Sequence, residues 1–385
     1  MLYLNFPIIV MLFISIAACS PPAPEEVTNL DSVSTADEKV TLSEESPLLQ
    51  PSVVQELLDC QSTKDMTVHC GYKNPEDIVA LPGDKYLVVS EMGEFRTDAP
   101  GKLSLLNLDS GEREVLNVIW EQSHPALGDA QCPAPDNAAF SPHGIDLTTL
   151  EDGTLQLLAV NHGKRESIEF FEATRTDDVW QLTWQGCALP PGDPFINDVA
   201  GLRDGGFFIT HMWDKTAEFD EIVRKLLAGE PTGWVYEWQR DRGFTKLPES
   251  VDLMPNGIAV SNDNAKVFVN IYFAGKTITI DRASGQREGE FAVRQPDNIT
   301  VDAEGMLWIA SHTHDPLGQN CVLVTEGPCL LPYDIIKADP DTMQTEFFLS
   351  QDGAPMGYAT VALKVGDRVF MGSAHGDRVV SSPVH

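Results

Sequence analysis

Short polar phrases that open apolar runs recur along this chain, and they contain the residues best suited to chemistry. Each begins with an acid, an amide or, in one copy, a histidine, and each is followed by a turn and a second apolar run. The copies are Glu76-Asp77-Ile78, His143-Gly144-Ile145, Asn197-Asp198-Val199, Asn256-Gly257-Ile258, Asp297-Asn298-Ile299 and, more weakly, Ala359-Thr360-Val361. If the copies are related by rotation about one axis, their opening oxygens converge there. Grouped carboxylate and amide oxygens are ligands for a hard cation such as calcium.

The alternation of side chains along a strand divides these oxygens into two sets. Neighbours such as Glu76 and Asp77 point to opposite sides of a strand, so one ion does not easily bind both. One position would use the oxygens of Glu76, Asn197, Asn256, Asp297 and Asn298. The other would use Asp77, Asp198 and a backbone carbonyl. Taken singly, an Asn or Asp here is more often a turn residue bonded to its own backbone, so the prediction depends on the recurrence.

Two histidines flank the second phrase. His143 opens it and His162 ends the next predicted strand, so a hairpin places both at one end of the sheet. Such a pair could relay a proton near neutral pH, or it could be two structural histidines hydrogen-bonded at strand ends. His211 ends another strand and, with Thr360, could belong to the same wall. The sequence contains no Gly-x-Ser-x-Gly, which argues against an α/β-hydrolase nucleophile.

The elements that position these residues are predicted to be strands. Units of antiparallel strands, each opened by a polar phrase, are typical of an all-β, six-bladed β-propeller. The first unit includes a strand at 114–119, and the second consists of strands at 145–150, 155–160 and 167–171. The sixth unit lacks an outer strand, which we expect from the start of the domain. A β-sandwich or two unrelated β domains would explain the strands but not the polar openings.

One segment has helical periodicity instead. Its apolar residues lie at i, i+3, i+4, i+7 and i+8, with Gly229 at the position of a C-cap; they are Phe219, Ile222, Val223, Leu226 and Leu227. The pattern predicts a short amphipathic helix in the third unit, near the tunnel mouth. It could be a surface helix packed on its blade, or a lid whose apolar face meets lipid or substrate.

The N-terminus predicts export. Residues 1–19 contain no charged side chain, end in Ala17-Ala18-Cys19 and are short for a membrane span. The ending resembles a bacterial lipobox with Cys19 as the lipidated residue, and Ser20 favours the outer membrane, facing the periplasm or the cell surface. An ordinary cleaved signal is the alternative, because Met1–Asn5 lacks basic residues. Residues 20–51 read as a disordered, acidic, Pro- and Ser-rich linker, and residues 52–385 as the propeller domain.

Cysteine content suggests disulfide bonds, and the net charge excludes one class of binding partner. Of seven cysteines, those beyond Cys19 form an even set, which in an exported chain suggests disulfides of undetermined pairing. Short loops favour Cys60–Cys70 and Cys321–Cys329, leaving Cys132–Cys187. The net charge of −32 opposes nucleic-acid binding, which depends on Lys and Arg. The hydrophobic content of 42% is enough for a large core.

The phrases, taken in order, resemble those of the paraoxonases, a family of calcium-dependent lactonases and arylesterases with a six-bladed propeller. The matching segments are Pro75-Glu76-Asp77-Ile78, Ser141-Pro142-His143-Gly144-Ile145, Leu157-Leu158-Ala159-Val160-Asn161-His162, Ile196-Asn197-Asp198-Val199, Asn256-Gly257-Ile258, Asp297-Asn298-Ile299-Thr300-Val301-Asp302 and Ala359-Thr360-Val361-Ala362. They span about residues 74–375. The family's disulfide between the start of the domain and its last strand has no counterpart, because no cysteine follows Cys329.

The resemblance implies roles for these residues and two bound Ca²⁺ ions. The first oxygen set would hold a catalytic calcium, while Asp77, Asp198 and the carbonyl of Ile145 would hold a structural one. His143 and His162 would form a histidine dyad that activates water, and the helix would lie beside the active site. The implied activity is calcium-dependent hydrolysis of lactones and aryl esters. A gluconolactonase-like or strictosidine-synthase-like propeller hydrolase and a non-catalytic, calcium-binding surface propeller are the alternatives.

Overall fold

The computed structural model describes residues 50–51, 59–94, 99–120, 127–136, 138–321, 324 and 327–384. All belong to one compact unit, Ser46–His385. The predicted signal peptide, Cys19 and residues 20–49 of the predicted linker lie outside the described residues, so the lipid anchor stays a prediction.

The first half of the described chain is almost entirely β-structure. It starts with β1 (Gln50–Pro51) and β2 (Thr67–Cys70). The first blade follows as β3 (Pro75–Ala80), β4 (Tyr86–Glu91), β5 (Lys102–Asn107) and β6 (Arg113–Val115). The second sheet contains β7 (Asn117–Ile119), β8 (Leu127–Gly128), β9 (Pro142–Thr149), β10 (Leu155–Asn161), β11 (Ser167–Thr176) and β12 (Val179–Ala188). The third contains β13 (Pro194–Gly201), β14 (Phe207–Asp214), the helix α1 (Phe219–Leu227), β15 (Gly233–Gln239) and β16 (Gly243–Asp252).

The second half repeats the pattern. The fourth blade is β17 (Pro255–Val260), β18 (Lys266–Ile271), β19 (Lys276–Asp281) and β20 (Arg287–Ala292). The fifth consists of β21 (Pro296–Val301), β22 (Leu307–His312), β24 (Tyr333–Asp339) and β25 (Gln344–Gln351), with β23 (Gln319–Asn320) in a connecting loop. The last three strands are β26 (Ala359–Val365), β27 (Arg368–Ser373) and β28 (Arg378–Pro383).

The sheets confirm the six-bladed β-propeller. The outer strand of the sixth blade is β2, which pairs antiparallel with β28, so strands from both ends of the domain share one sheet. This is the ring closure predicted from the sequence. Closure also removes a pair of exposed sheet edges at the joint.

Strand assignments in the second sheet differ from the prediction at three places, of which one is the unpredicted β8. Strand β12 was not predicted, and the predicted strand at 114–119 divides into β6, which stays in the first blade, and β7, which pairs in parallel with β12. The ten-residue β12 alternates buried and part-exposed side chains, as expected for a strand with one face toward a core. Its length leaves an outer edge long enough to pair with both β7 and β8.

The disulfide pairing that short loops favoured is confirmed. Bonds join Cys60 to Cys70, Cys132 to Cys187 and Cys321 to Cys329. Cys60–Cys70 ties the segment before β2 to β2 itself and does not reach β28. Ring closure therefore depends on strand pairing between β2 and β28, together with the packing of blade on blade.

Large apolar side chains fill the spaces between neighbouring blades. Phe170 of the second sheet packs edge-on against Phe207 and Trp238 of the third, with ring centroids 5.7 and 5.5 Å apart. All three side chains are buried. Burying a side chain of this size stabilises the folded state by roughly 1.5–3 kcal/mol, so contacts of this kind hold the second and third blades together.

The helix α1 forms where the apolar periodicity predicted it. Ile222 and Leu226 are buried against Phe195, Met212 and Trp213 of the third blade, so one face packs on the sheet. Leu227, on the outer side, is 50% exposed. Among the described residues, no helix is long and apolar enough to cross a membrane.

Candidate functional site

The polar phrases coincide with breaks in strand register. The inner strand of every blade shifts register at its phrase, as between Pro75 and Asp77 or between Ile196 and Val199. The equivalent shifts in the other blades lie at Ala159/Asn161 opposite the His143 phrase, Pro255/Ile258, Pro296/Ile299 and Ala359/Val361. β-Bulges re-aim side chains and are frequent beside active sites. The phrases are therefore the positions where the inner strands turn polar groups toward the axis.

The backbone just before four of these phrases is in the left-handed region. Asn74, Met254, Gln295 and Tyr358 have φ angles between 39° and 63°, and each lies two residues before a phrase's polar residue. Non-glycine residues adopt such angles at about 1–3 kcal/mol each, and they persist only where the surroundings enforce them. At Gln295 the side-chain amide donates to the carbonyls of His312 and His314, which holds this bend.

Two phrases contain glycine because neighbouring blades approach closely there. A Cβ at Gly144 would lie 2.4 Å from Asp198 Oδ1 and 2.6 Å from Asp198 Cα. At Gly257 it would lie 2.4 Å from the carbonyl oxygen of Asp297. In each case the obstacle is the phrase of the next blade, so glycine is what allows adjacent phrases to converge.

Gly144→Ala is expected to destabilise the fold by about 1–3 kcal/mol, because the new methyl group must displace backbone as well as a side chain. The measurement is the urea midpoint of unfolding. Gly376→Ala is the matched control, since its Cβ would meet only Ser373 Cβ at 4.0 Å. A Gly144→Ala midpoint equal to that of the control would contradict the close-approach argument.

A cavity of about 90 Å³ opens at the phrases. Four residues of the first oxygen set line it, namely Glu76, Asn197, Asn256 and Asp297. The fifth, Asn298, donates from Nδ2 to Glu76 Oε1 at 2.9 Å. All five side chains are buried, none more than 6% exposed. The apolar wall of the cavity is formed by Met92, Met212, Trp213, Phe219 and Met254.

Four oxygens in this cluster are buried without a hydrogen-bond partner among the described residues. They are Glu76 Oε2 and the Oδ1 atoms of Asn197, Asn256 and Asn298. A buried polar atom left unsatisfied costs about 1–3 kcal/mol, and such atoms are ordinarily rare. Two of the amide nitrogens already have partners, since Asn197 Nδ2 lies 3.4 Å from His143 Nε2 and Asn298 Nδ2 donates to Glu76 Oε1. What remains is a shell of acceptors, which is the arrangement that a cation satisfies.

Electrostatics favour the same conclusion. Burial, followed by the charges of Glu76 and Asp198, holds the pKa of Asp297 well above its usual range. Clusters of three or more His, Cys, Asp or Glu suited to a metal do not occur among the described residues; the set here is instead rich in Asn. Neutral amide oxygens with a few carboxylates suit calcium rather than a transition metal.

The second oxygen set lies apart from the first. Asp77 and Asp198 line a separate opening of about 630 Å³, together with Ile145. Asp77 Oδ2 accepts from Ile145 N at 2.7 Å, and Asp198 Oδ2 accepts from Ile258 N at 2.8 Å. Each carboxylate thus ties its blade to the next one. Burial first, and then neighbouring acid charge, raises the pKa of both, so a cation between them would relieve the repulsion.

The two histidines of the predicted dyad meet. His143 Nδ1 lies 2.8 Å from His162 Nε2, and both rings are buried. The other nitrogen of His143, Nε2, lies 3.4 Å from Glu76 Oε1. Burial lowers the pKa of His162 despite the nearby Glu166 carboxylate. A ring nitrogen of the pair therefore lies beside the unpartnered oxygens, where it could accept a proton from a bound water.

Comparison with known proteins decides the family. The arylesterase family model matches residues 65–378. The chain belongs to the arylesterase family. It is 24% identical to human serum paraoxonase/arylesterase 1 over 319 residues, covering 77% of this chain and 82% of that protein. It is 27% identical to the mouse protein of the same name over 225 residues, covering 57% of this chain and spanning 59% of that relative's length.

The fold also has a structural counterpart. A luciferin-regenerating enzyme superposes with a TM-score of 0.50 at 14% identity, covering 82% of this chain and 92% of that one. At this identity the likeness concerns the fold alone.

Two sequence-predicted wall residues have different environments in this arylesterase-family chain. Thr360 lines the cavity and donates from Oγ1 to the carbonyl of Glu76 at 2.6 Å. His211 does not line it. Its ring packs against Trp234, with centroids 4.1 Å apart, and its Nε2 lies 3.3 Å from Asp214 Oδ1. His211 lies within β14 and not at a strand end as predicted, and the pairing of β14 with β15 sets it opposite Trp234.

Sequence reasoning missed a second group of site residues. His312 Nε2 lies 3.0 Å from the carbonyl of Ala359 and 3.5 Å from Asp297 Oδ2. Its Nδ1 lies 2.9 Å from the hydroxyl of Tyr272, which lines the cavity. In the sequence, the i,i+2 spacing of His312 and His314 is only a weak indication of a pair of metal ligands. Instead, His312 stacks on Tyr358 at 3.9 Å, and no sequence pattern marked either tyrosine.

Glu166 and Lys215 were also missed. Glu166 Oε2 lies 2.8 Å from His162 Nδ1, and Lys215 Nζ donates to Glu166 Oε1 at 2.8 Å. The only sequence signal for Glu166 is an acid four residues after His162. That spacing brings two side chains together in a helix, but these residues lie in a loop, where it predicts no contact. Lys215 is 49 residues from Glu166 along the chain, so only the fold relates them.

Proposed function

We propose that this protein is a calcium-dependent hydrolase of lactones and aryl esters. The observation that carries the proposal is the cluster of four unpartnered buried oxygens, with an imidazole nitrogen beside it, at one cavity. Family membership supports hydrolysis as the reaction class, and the names of the serum paraoxonase/arylesterase relatives support an ester-type substrate. The lactone preference comes from the resemblance of the phrases to the paraoxonases.

The catalytic ion would be held by Glu76, Asn197, Asn256, Asp297 and Asn298. A calcium ion bound there would supply Lewis-acid polarisation of the substrate carbonyl and stabilise the oxyanion formed on attack. A second ion, with a structural role, would be held by Asp77, Asp198 and the carbonyl of Ile145. We therefore propose two Ca²⁺ per chain.

The protein's own groups would handle water and proton. His143 Nε2 takes a proton from a water molecule whose oxygen bonds to the carbonyl carbon, while the His143 Nδ1–H donates to His162 Nε2. Collapse of the tetrahedral species breaks the acyl C–O bond, and the departing oxygen receives the proton from His143 Nε2. A lactone gives a hydroxy acid, and an aryl ester gives a phenol and a carboxylic acid.

The apolar wall would position the substrate. The methionines Met92, Met212 and Met254, with Trp213 and Phe219, give the cavity a flexible and aromatic lining beside the oxygen cluster. Methionine adapts to substrates of irregular shape, which suits an acyl chain or an aryl ring. Because Phe219 begins α1, the helix contributes directly to this wall.

The test is a hydrolysis screen on acyl-homoserine lactones, aliphatic lactones, sugar lactones and aryl esters, with and without calcium. We expect turnover of acyl lactones and aryl esters that exhaustive chelation removes, that calcium restores and that magnesium does not. Turnover that survives chelation would contradict the metal mechanism. A preference for sugar lactones would favour the gluconolactonase-like alternative, and bound calcium without turnover would favour a non-catalytic propeller.

A further inference from the structure

We infer that Glu166, held by Lys215, is a positioning residue that fixes the tautomers of both imidazoles, so that the lone pair of His143 Nε2 faces the cavity. The inference rests on the proposed function, because it assigns Glu166 a task in that reaction. It extends the histidine pair to a series of hydrogen-bonded side chains, which runs from Lys215 through Glu166, His162 and His143 to the oxygen cluster.

The series is continuous, and from Glu166 inward it is shielded from water. Its links are 2.8 Å from Lys215 Nζ to Glu166 Oε1, 2.8 Å from Glu166 Oε2 to His162 Nδ1 and 2.8 Å from His162 Nε2 to His143 Nδ1. The Glu166 side chain is 5% exposed and that of His162 is 9% exposed. His162 also stacks on Phe195, with centroids 4.6 Å apart, which fixes the plane of its ring.

Hydrogen-bond chemistry then determines where the protons lie. An ionised carboxylate only accepts, so His162 must carry its proton on Nδ1 toward Glu166. In a neutral ring this leaves a lone pair on His162 Nε2, which accepts from His143 Nδ1–H. His143 Nε2 is consequently unprotonated, which suits the Asn197 Nδ2 donor 3.4 Å away. The Glu76 Oε1 acceptor, also 3.4 Å away, pairs with this nitrogen only after it has taken up a proton. Without Glu166, either tautomer of each ring would be compatible with the contact between the histidines.

Two further contacts keep Glu166 ionised and in place. Although burial acts to raise it, His162 and Lys215 together lower the pKa of Glu166. Ile196 N donates to Glu166 Oε2 at 3.3 Å, which joins this loop to the strand that carries Asn197. On the other side, the neighbouring Arg165 donates to the carbonyl of Pro133 at 2.7 Å and so anchors the loop.

Glu166→Gln should lower kcat by more than the loss of the carboxylate charge alone would. Lys215 donates only, so it would select the oxygen of the introduced amide and turn the NH₂ group toward His162 Nδ1. The NH₂ group is a donor and would impose the opposite tautomer on His162. Removing Lys215 as well frees the amide to rotate, so Lys215→Met should partly rescue Glu166→Gln.

The experiment compares Glu166→Gln, Glu166→Asp, Glu166→Gln with Lys215→Met, and the control Lys164→Met. Lys164 lies in the same loop but pairs with Asp136 at the surface. We expect Glu166→Gln to lower kcat roughly 10- to 100-fold, in the range of residues that orient a functional group through another, with KM little changed. Glu166→Asp and the double variant should recover part of kcat, and Lys164→Met should match the wild type.

A second readout does not depend on activity. The ¹⁵N shifts of His162 report which ring nitrogen is protonated; we expect Nδ1–H in the wild type and in Glu166→Asp, and loss of that state in Glu166→Gln. Wild-type kcat together with an unchanged His162 tautomer in Glu166→Gln would overturn the inference. The inference would also be overturned if Glu166→Gln lowered the stability of the protein without changing the His162 tautomer, and if the double variant lost as much stability and kcat. If the wild type hydrolyses none of the substrates, the proposed function fails, and the ¹⁵N shifts still decide the tautomer.

Discussion

Glu76→Gln is expected to reduce kcat/KM for lactones and aryl esters by roughly 10³-fold or more, the scale seen when a group that stabilises an oxyanion is lost. Glu76 Oε2 is one of the four unpartnered oxygens, and Oε1 accepts from Asn298. An amide at this position places an N–H donor in a shell of acceptors. It also removes one of the carboxylate charges of the first oxygen set.

The measurement is steady-state turnover together with calcium affinity by titration calorimetry. Asp146→Asn is the matched control, because Asp146 is also a carboxylate that accepts two hydrogen bonds, from Thr148 and Gly201, but lines the separate opening. The control should bind calcium at the active site and keep near-normal kcat/KM, even if it unfolds at lower urea. Turnover by Glu76→Gln within tenfold of the wild type would remove Glu76 from the ion's ligands.

The recurring phrase allowed the fold to be predicted because it records a geometric constraint. Each blade must bring one inner strand to the axis, and polar residues at the same place in each unit reveal the rotation. The helix α1 was also predictable, since its apolar residues recur with helical periodicity, and two of them, Ile222 and Leu226, are buried on the sheet. Both signals are local and periodic, and such patterns survive in a single sequence.

The rest of the candidate site depends on contacts between distant parts of the chain, and these leave no periodic pattern in the sequence. Strand alternation correctly separated Glu76 from Asp77, but it did not reveal the bulges or the left-handed residues such as Asn74 that precede them. His211 was expected at the wall because it was predicted to end a strand. The structure places it inside β14, and the register of that strand decides which face it occupies. Glu166 reaches His162 through a loop, and Lys215 arrives from another blade.

The second large effect that we expect is the dependence of stability on calcium and on pH. In excess chelator, the thermal midpoint should fall as the pH rises from about 5 to 8. Burial and neighbouring acid charges raise the folded-state pKa of Asp77, Asp198 and Asp297 above the usual range. The unfolded chain, whose aspartates have a pKa of about 3.9, therefore binds fewer protons than the folded chain at intermediate pH.

The sign follows from proton linkage. When the folded state holds more protons, the free energy of unfolding decreases as the pH rises. The contribution of these aspartates is fully present below the unfolded pKa and is lost as the pH rises through their higher folded values. Calcium should reverse the trend, because it binds the ionised carboxylates and its affinity grows as protons leave. At a calcium concentration of about 100 times Kd, one site adds roughly 2.7 kcal/mol.

The discriminating measurement is a set of thermal melts at pH 5, 6.5 and 8, each in chelator and in calcium. Asp198→Asn should flatten the decline in chelator and reduce the gain from calcium, since a neutral amide neither titrates in this range nor attracts the ion as strongly. A midpoint in chelator that stays constant or rises with pH would mean that the buried aspartates are ionised without a cation. Relief of charge repulsion among these aspartates would then no longer support a cation at the axis, and the proposed calcium sites would rest on the unpartnered oxygens alone.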